Sequence, residues 1–296
     1  MKFEPIVPGI KLLRTPFGNY WSGVVLVQDA KNGSVLIDSG SEKRVVDECI
    51  VPALKEESLE PSHLAYITCT HCHGDHIGGH KRLSELTNAK IAVYEGSVDK
   101  LQNPLLYSKK IRSVFPIDSP SAPSILDGVT PDVKIKEGEL LAGRLRLVHT
   151  PGHDDDTVCW FDTVTQTLIT GDSVQGDGAA GAGLAFYQNL RDYRESMRKL
   201  LDLPIQNMVT AHSYLNIDEP VVGANRVREA LEKCVETTNR YDDFIRETLE
   251  NKTQKTIHEI AVDLINYENH KAPNYLFLEM YTVRSHFIEM GKLSDE

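Results

Sequence analysis

Short apolar runs alternate with turn-forming residues over roughly the first two thirds of the chain, a pattern typical of alternating strands and helices. Residues 20–27 and 34–38 flank a turn-rich segment, so we expect them to form a hairpin. The other segments predict a mixed architecture of strands and helices. Strands are expected at residues 64–68, 90–93, 140–149, 157–161, 167–170 and 208–210, and helices at 45–57, 81–86 and 189–201.

Beyond residue 217 the apolar positions recur at helical spacing instead. Thr256 and Glu259 have the spacing of a capping box, and the apolar positions that follow lie on one face of a helix. The last two helices are expected at residues 256–268 and 275–291. We therefore predict an α+β fold in which a catalytic part, residues 1–217, precedes a helical segment, residues 218–296.

Residues 103–131 interrupt this alternation. Five prolines and several serines disfavour regular structure there, and predict an irregular excursion over the surface. A segment of this length is either a lid that faces the substrate or an insertion without a role in the site, and the sequence leaves both interpretations open.

Composition limits the binding partners and the cellular location that we expect for this protein. The formal net charge of −11 disfavours nucleic acid, whose phosphates repel an acidic surface. Five cysteines without regular spacing predict no disulfide framework and fit a reducing cytoplasm. The sequence has no apolar run of membrane-spanning length, and residues 1–20 lack the apolar core of a secretion signal. We expect a cytoplasmic protein that acts on a small molecule.

The most specific chemical signal is a cluster of three histidines and one aspartate, His71, His73, Asp75 and His76. It directly follows the predicted strand at residues 64–68, so a rigid scaffold would hold it. His71 and His73 are two residues apart and point the same way in an extended chain, which allows both to bind one ion. Imidazole and carboxylate groups are ligands of divalent transition metals, so the cluster predicts a metal site.

Three further candidate ligands lie far along the chain, each after a predicted strand. His153 follows a Pro-Gly turn, and Asp172 and His212 follow the strands at residues 167–170 and 208–210. Alone, each is better explained as a buried or solvated polar side chain. Together with the first cluster, they supply enough ligands for two ions.

In this order these residues resemble the metallo-β-lactamase superfamily. The matching elements span roughly residues 20–215 and are His71-x-His73-x-Asp75-His76, Thr150-Pro151-Gly152-His153, Gly171-Asp172 and His212. The resemblance implies a four-layer αββα sandwich with two metal ions at one edge of its sheets. It implies that His71, His73 and His153 bind one ion, that Asp75, His76 and His212 bind the other, and that Asp172 bridges them.

The resemblance also implies metal-assisted hydrolysis. A water between two cations loses its proton near neutral pH, and the hydroxide attacks an electrophilic bond while Asp75 orients it or carries a proton. Two Zn²⁺ ions are expected, with manganese or iron as alternatives. Persulfide dioxygenases, which resemble the pattern with a single iron, are a minor alternative.

Other interpretations of the cluster explain fewer residues. Cys69 to His73 match C-x-x-C-H, the attachment string of c-type haem, and the embedded C-x-x-C could be a redox pair. Neither accounts for His76, His153 or His212. We expect Cys69 and Cys72 to be packed or to lie just outside the ligands.

Two features near the predicted site are less specific. Many superfamily members have Ser or Thr and then Gly after the histidine at position 153, whereas this chain has Asp154, Asp155 and Asp156. We expect these acids to form a solvated turn, the alternative being that they raise metal affinity or that one of them orients His153. Residues 175–183 are rich in glycine, and the following Tyr187 is a candidate catalytic residue that could donate to a substrate carbonyl, or could equally be packed.

The helical segment resembles the C-terminal part of the β-lactamase-like protein 2 group, some of whose members cleave single-stranded RNA. Here acidic residues outnumber basic ones in that segment, which disfavours RNA. We expect the segment to be a cap over the site or a homodimer contact. The favoured function is hydrolysis of a lactone, thioester or carboxylic ester. A metal-dependent endoribonuclease is the alternative, and a non-enzymatic metal-binding protein comes third.

Overall fold

The first sheet contains the early strands of the chain, side by side in sequence order. A computed structural model describes residues 1–29, 31–179, 183–217, 219–250 and 255–294. Strands β1 to β4 are antiparallel neighbours, and β4 to β7 are parallel neighbours. The strands are β1 (Glu4–Val7), β2 (Ile10–Phe17), β3 (Tyr20–Val27), β4 (Ser34–Ile37), β5 (Leu64–Thr68), β6 (Lys90–Tyr94) and β7 (Val133–Ile135).

The second sheet contains the later strands in reverse order, from β13 at one edge to β8 at the other. Strands β11 and β12 are parallel neighbours, and the other neighbours are antiparallel. The strands are β8 (Leu140–Leu141), β9 (Leu145–His149), β10 (Val158–Asp162), β11 (Thr167–Ile169), β12 (Asn207–Val209) and β13 (Val221–Val222).

The helices cover the outer faces of both sheets. The α-helices are α1 (Lys43–Val45), α2 (Val51–Glu56), α3 (Gly74–Ile77), α4 (His80–Leu86), α5 (Val98–Gln102), α6 (Pro104–Ser113), α7 (Leu190–Leu201), α8 (Ala224–Glu250), α9 (Ile257–Tyr267) and α10 (Phe277–Glu289). A π-helical turn, Val46–Ile50, joins α1 to α2, and 3-10 turns lie at Pro61–His63 and Glu95–Ser97. Among the described residues, no helix combines the length and apolar character needed to cross a membrane.

The core has three parts, which together define four layers. Alternate side chains of the two sheets, such as Ile37, Leu147 and Trp160, pack against each other in the middle. The other face of the first sheet packs on α1, α2 and α4, and that of the second on α7 to α10. The predicted αββα sandwich with an added C-terminal helical segment is therefore confirmed. The division at residue 217 remains a prediction, since α8 shares a core with the second sheet.

Several elements differ from the sequence prediction. Residues 104–113 form helix α6 rather than irregular chain, because Pro104 lies in its first turn, where a missing N–H costs no hydrogen bond. Strands β1, β2, β7 and β13 and the short helices α3 and α5 were not predicted, and the strand expected at residues 140–149 is divided into β8 and β9. In contrast, the predicted capping box is present, with Thr256 and Glu259 bonded reciprocally at the start of α9.

Candidate metal centre

All seven candidate metal ligands meet at one edge of the sandwich, although they come from four separate parts of the chain. His71 and His73 follow β5, and Asp75 and His76 lie in α3. The other three lie just after strands, because neighbouring strand ends converge at this edge. They are His153 after β9, Asp172 after β11 and His212 after β12. Two groups of their ligand atoms, each within 4.8 Å of one another, could hold a metal ion.

The first group contains His71, His73, His153 and Asp172. Nε2 of His153 lies 3.0 Å from Nδ1 of His73, and the ring centroids of His71 and His153 are 4.8 Å apart. Gly152 makes this approach possible. Its φ is +133°, and a Cβ at that position would lie 2.4 Å from Cα of Tyr193, so the turn requires glycine.

The second group contains Asp75, His76 and His212. Oδ2 of Asp75 lies 3.3 Å from Nε2 of His76 and 3.2 Å from Nε2 of His212. These three residues therefore direct two imidazole nitrogens and one carboxylate oxygen toward a common point.

Asp172 lies between the two groups. Its Oδ1 is 3.6 Å from Nε2 of His76 and 3.4 Å from Nε2 of His212. Its Oδ2 is 3.6 Å from Nε2 of His153 and 3.9 Å from Nε2 of His71. One carboxylate thus has one oxygen near each group, which is the arrangement expected of a bridging ligand.

The outward ring nitrogens of three histidines are held by the protein. Nδ1 of His76 is 2.9 Å from Oδ2 of Asp38. Nδ1 of His212 is 2.7 Å from the carbonyl oxygen of Trp21, and Nδ1 of His153 is 3.1 Å from that of Phe186. For His76 and His212 an acceptor at Nδ1 holds a proton there, so Nε2 is the nitrogen that can face a metal, whereas Nδ1 of His153 also lies 2.7 Å from the amide nitrogen of Gln175.

The ligand atoms that face the interior of the site are suited to binding cations. Nε2 of His71, Nε2 of His76 and Oδ1 of Asp172 are buried without a hydrogen-bond partner in the described part of the chain. Buried polar atoms are rarely left unpaired unless another group satisfies them. Because these atoms are nitrogen and oxygen donors from imidazole and carboxylate, the donor set matches that of a divalent transition metal.

Electrostatics at the site depend on the same proximity. Burial and the neighbouring imidazoles hold the pKa of His71 well below its usual range, and burial lowers the pKa of His153 to about 4. Against the effect of burial, Asp172 and Asp75 raise the pKa of His212 to about 10. The carboxylates thus favour positive charge between themselves and His212, as they would favour a cation.

Asp154, Asp155 and Asp156 do not form the predicted solvated turn. Asp154 and Asp156 are buried, and only Asp155 of the three is exposed. Nζ of Lys100, on α5, contacts all three carboxylates, including Oδ1 of Asp154 at 2.6 Å. Lys100 thereby compensates the buried negative charge. Oδ2 of Asp154 also lies 3.4 Å from Nε2 of His73 and accepts a hydrogen bond from Tyr107.

Both cysteines of the C-x-x-C string are packed, at 2% and 1% exposure for Cys69 and Cys72. In the described part of the chain, neither sulfur belongs to a group that could hold a metal. This placement agrees with the expectation that the two thiols pack beside the cluster.

A cavity of about 800 Å³ opens beside the candidate ligands. Its walls are mainly aromatic and aliphatic, and come from the β2–β3 hairpin, α6, residues 120–126 and the start of α10. Residues 103–131 therefore contribute a wall of the cavity, which favours the lid interpretation over an insertion without a role. Sequence reasoning missed Tyr107 and Glu279, which line the same cavity, because no local pattern marks either of them.

Tyr187 is not placed where the sequence hypothesis needs it. Its side chain is fully buried, its hydroxyl lies 2.8 Å from Nε2 of His286, and its ring stacks on Tyr193. It does not line the cavity, whereas its neighbour Phe186 does. The packing interpretation fits this position, and a catalytic role for Tyr187 does not. Of the glycine-rich residues 175–183 nearby, Gly181 lies outside the described residues.

Comparisons with known proteins agree with this geometry. A beta-lactamase-like protein 2 homolog of Drosophila melanogaster is 24% identical over 265 residues, covering 87% of this chain and 78% of that protein. A hydroxyacylglutathione hydrolase of Pelagibacter ubique is 25% identical over 206 residues, covering 69% and 71%. The crystal structure of a metallo-beta-lactamase family protein from Thermus thermophilus superposes with a TM-score of 0.76 and 21% identity, covering 97% and 95%.

The similarity to the Drosophila protein is long enough to extend past the candidate ligands into the C-terminal helices. The family model of the metallo-beta-lactamase superfamily matches residues 21–212, the stretch that carries all seven candidate ligands. The chain therefore belongs to the metallo-beta-lactamase superfamily.

Proposed function

We propose that this protein is a dinuclear metal-dependent hydrolase of small molecules with an ester-like bond. In the proposal His71, His73 and His153 bind one ion, Asp75, His76 and His212 bind the second, and Asp172 bridges them. The observation that carries it is the position of Asp172, with one oxygen near each group and Oδ1 otherwise unpaired among the described residues.

Divalent ions bound there supply Lewis acidity, which activates water and stabilises negative charge on the substrate. The protein's own residues hold the ligands in place and exclude bulk water. Asp38 and the carbonyl oxygens of Trp21 and Phe186 fix the ring orientations of three histidines. Asp75 lines the cavity, and in the proposal its carboxylate takes a proton from the attacking water and returns it to the leaving group.

The cavity walls and the net charge support a small, largely apolar substrate. Phe17, Trp21, Ile111, Phe186 and Phe277 line the cavity, and their side chains favour an acyl chain over a ribose-phosphate backbone. The net charge of −11 adds repulsion against RNA. Because the Pelagibacter relative is named for hydrolysis of an acyl group carried by glutathione, a thioester is our first choice, ahead of lactones and carboxylic esters.

The test compares the wild type with His73→Ala, and uses His63→Ala as the matched control because His63 is exposed. Each protein, loaded with Zn²⁺ or Mn²⁺, is assayed with acyl thioesters, lactones, aryl esters and a fluorescent single-stranded RNA. We expect His73→Ala to contain less metal and to lose turnover, whereas His63→Ala keeps both.

Full turnover and full metal content in His73→Ala would refute the proposed site. Cleavage of RNA without hydrolysis of any ester would favour the endoribonuclease instead. If the metal-loaded wild type were inactive on every substrate, the hypothesis of a non-enzymatic metal-binding protein would be the one that remains.

A further inference from the structure

Glu279, on α10, is a buried carboxylic acid in the wall of the cavity. Its side chain is 1% exposed, and it lines the same cavity as the candidate metal ligands. It belongs to neither group of candidate ligands. Neither Oε1 nor Oε2 has a hydrogen-bond partner in the described part of the chain.

The surrounding backbone leaves space for this carboxyl group. Gly183 has φ of +88°, and a Cβ there would lie 2.3 Å from Oε1 of Glu279. A side chain at position 183 would therefore have to displace the carboxyl group. The absence of a side chain at Gly183 therefore leaves room for the carboxyl group of Glu279 beside the cavity.

Among the residues that the structure describes, no charged side chain forms an ion pair with Glu279. Arg112 also lines the cavity, but its guanidinium group lies over the ring of Phe277, at 5.6 Å, and donates to Ser108. In the described residues, Glu279 makes no ion pair with a basic side chain. Tyr20 is close enough for Glu279 to raise the pKa of its phenol, although burial is the larger cause of that shift.

The isolation of Glu279 is unfavourable for the folded protein. Burial raises the pKa of Glu279 to about 8. The backbone N–H groups of Leu184 and of Glu279 itself oppose that rise, yet neither makes a hydrogen bond of normal geometry with the carboxyl. A buried polar group that no protein group satisfies is expected where a ligand satisfies it, since stability alone would favour an apolar side chain.

We propose that Glu279 is a specificity-determining residue, which accepts a hydrogen bond from an N–H or O–H group of the substrate. The inference rests on the proposed function, because it assumes that the cavity holds the substrate of the metal site. The apolar walls bind the hydrocarbon part of that substrate, and Glu279 is a polar group that fixes its orientation. An ammonium group and a hydroxyl group are the two sources of such a donor.

The experiment compares the wild type with Glu279→Leu and Glu279→Gln. Glu289→Gln is the control, because Glu289 is on the same helix but pairs with Arg191 at the surface. The probes are N-acetylcysteamine thioesters of linear acyl chains of several lengths, ending in methyl, hydroxyl or ammonium. The readout is the ratio of kcat/KM for each polar-ended chain to that for the methyl-ended chain of similar length.

We expect the wild type and Glu289→Gln to prefer a hydroxyl or ammonium end by about tenfold at the best length, the effect of one well-placed hydrogen bond. Glu279→Leu should lose that preference while keeping its metal content and its turnover of the methyl-ended chain. Glu279→Gln should keep a preference for hydroxyl and lose one for ammonium, since an ammonium group beside Glu279 favours the ionised carboxylate, whereas the amide of Gln cannot ionise. An equal ratio in the wild type and Glu279→Leu overturns the inference.

A second measurement separates this inference from the proposed function. If the metal-loaded wild type hydrolyses none of the thioesters, the proposed thioesterase activity fails, and binding of the thioether analogues is measured by calorimetry. Tighter binding of a hydroxyl- or ammonium-ended analogue by the wild type than by Glu279→Leu still supports the role of Glu279. Equal binding by the two proteins overturns that role as well.

Discussion

Replacing Glu279 by Gln should stabilise the folded protein, and the gain should increase with pH. Burial raises the pKa of Glu279 from its usual 4.5 to about 8 in the folded state. Below about pH 4.5 Glu279 holds its proton in both the folded and the unfolded protein, so its ionisation takes nothing from the free energy of unfolding. As the pH rises toward 8, the unfolded chain releases the proton while the folded protein keeps it, and the wild type loses stability. Gln does not titrate and avoids this loss.

The size of the effect follows from the two pKa values. Well between the two pKa values each unit of pH costs the wild type about 1.4 kcal/mol, and because half of the folded protein has released the proton at about pH 8, the interval from about pH 6 to about pH 8 costs about 2 kcal/mol. The assay is urea unfolding of the wild type, Glu279→Gln and Glu289→Gln at several pH values in this interval, with the same metal loading. At each pH the free energy of unfolding of the wild type is subtracted from that of the variant. This difference cancels the effects of histidine titration and metal release, because the proteins share them.

The expected result is a difference in free energy of unfolding that grows with pH for Glu279→Gln and stays flat for Glu289→Gln. A constant difference between Glu279→Gln and the wild type would show that Glu279 has an ordinary pKa. It would then be ionised and satisfied by a partner, and the argument that the folded protein leaves it unpaired would be wrong.

Three further predictions concern the metal site. Asp154→Asn should weaken metal affinity by about tenfold to a hundredfold, because it alters the carboxylate that faces His73, and competition with a chelator measures this against the exposed control Asp155→Asn. Gly152→Ala should cost about 2 kcal/mol or more, from its positive φ and the clash with Tyr193, and an unchanged urea midpoint would contradict this. Dialysis against a chelator should abolish hydrolysis and lower the melting temperature, and added Zn²⁺ should restore both, whereas a melting temperature independent of metal would argue against a site in the folded protein.

The candidate ligands could be predicted from the sequence because their signal is local. His71 to His76 lie close together along the chain, and Asp172 and His212 each follow a strand that its apolar run makes recognisable. Strand ends converge at a sheet edge, so identifying the strands also brings the ligands together. The four layers were implied by the family resemblance that these residues carry, whereas apolar periodicity alone predicted only alternating strands and helices followed by a helical segment.

The parts that were missed depend on contacts between distant segments. From the sequence alone, Asp154 and Asp156 are typical of a solvated run of charges. Only the structure shows that Lys100, on α5, contacts both carboxylates. Tyr187 lies one residue from the cavity wall, and only the packing of His286 on α10 shows that its hydroxyl points elsewhere. For Glu279, helical periodicity predicts a helix but does not show that this helix packs against a cavity.

One wall of the cavity comes from a part of the chain that holds no candidate ligand. The ligands lie between His71 and His212, whereas Glu279, Phe277 and Tyr275 come from a segment that contributes none of them. Substitutions near the C-terminus can therefore alter which molecules are accepted without disturbing the reactive centre. Enzymes built on this plan can diverge in substrate range while conserving their chemistry, and grafting the last helices of a relative onto this chain is a direct route to altered selectivity.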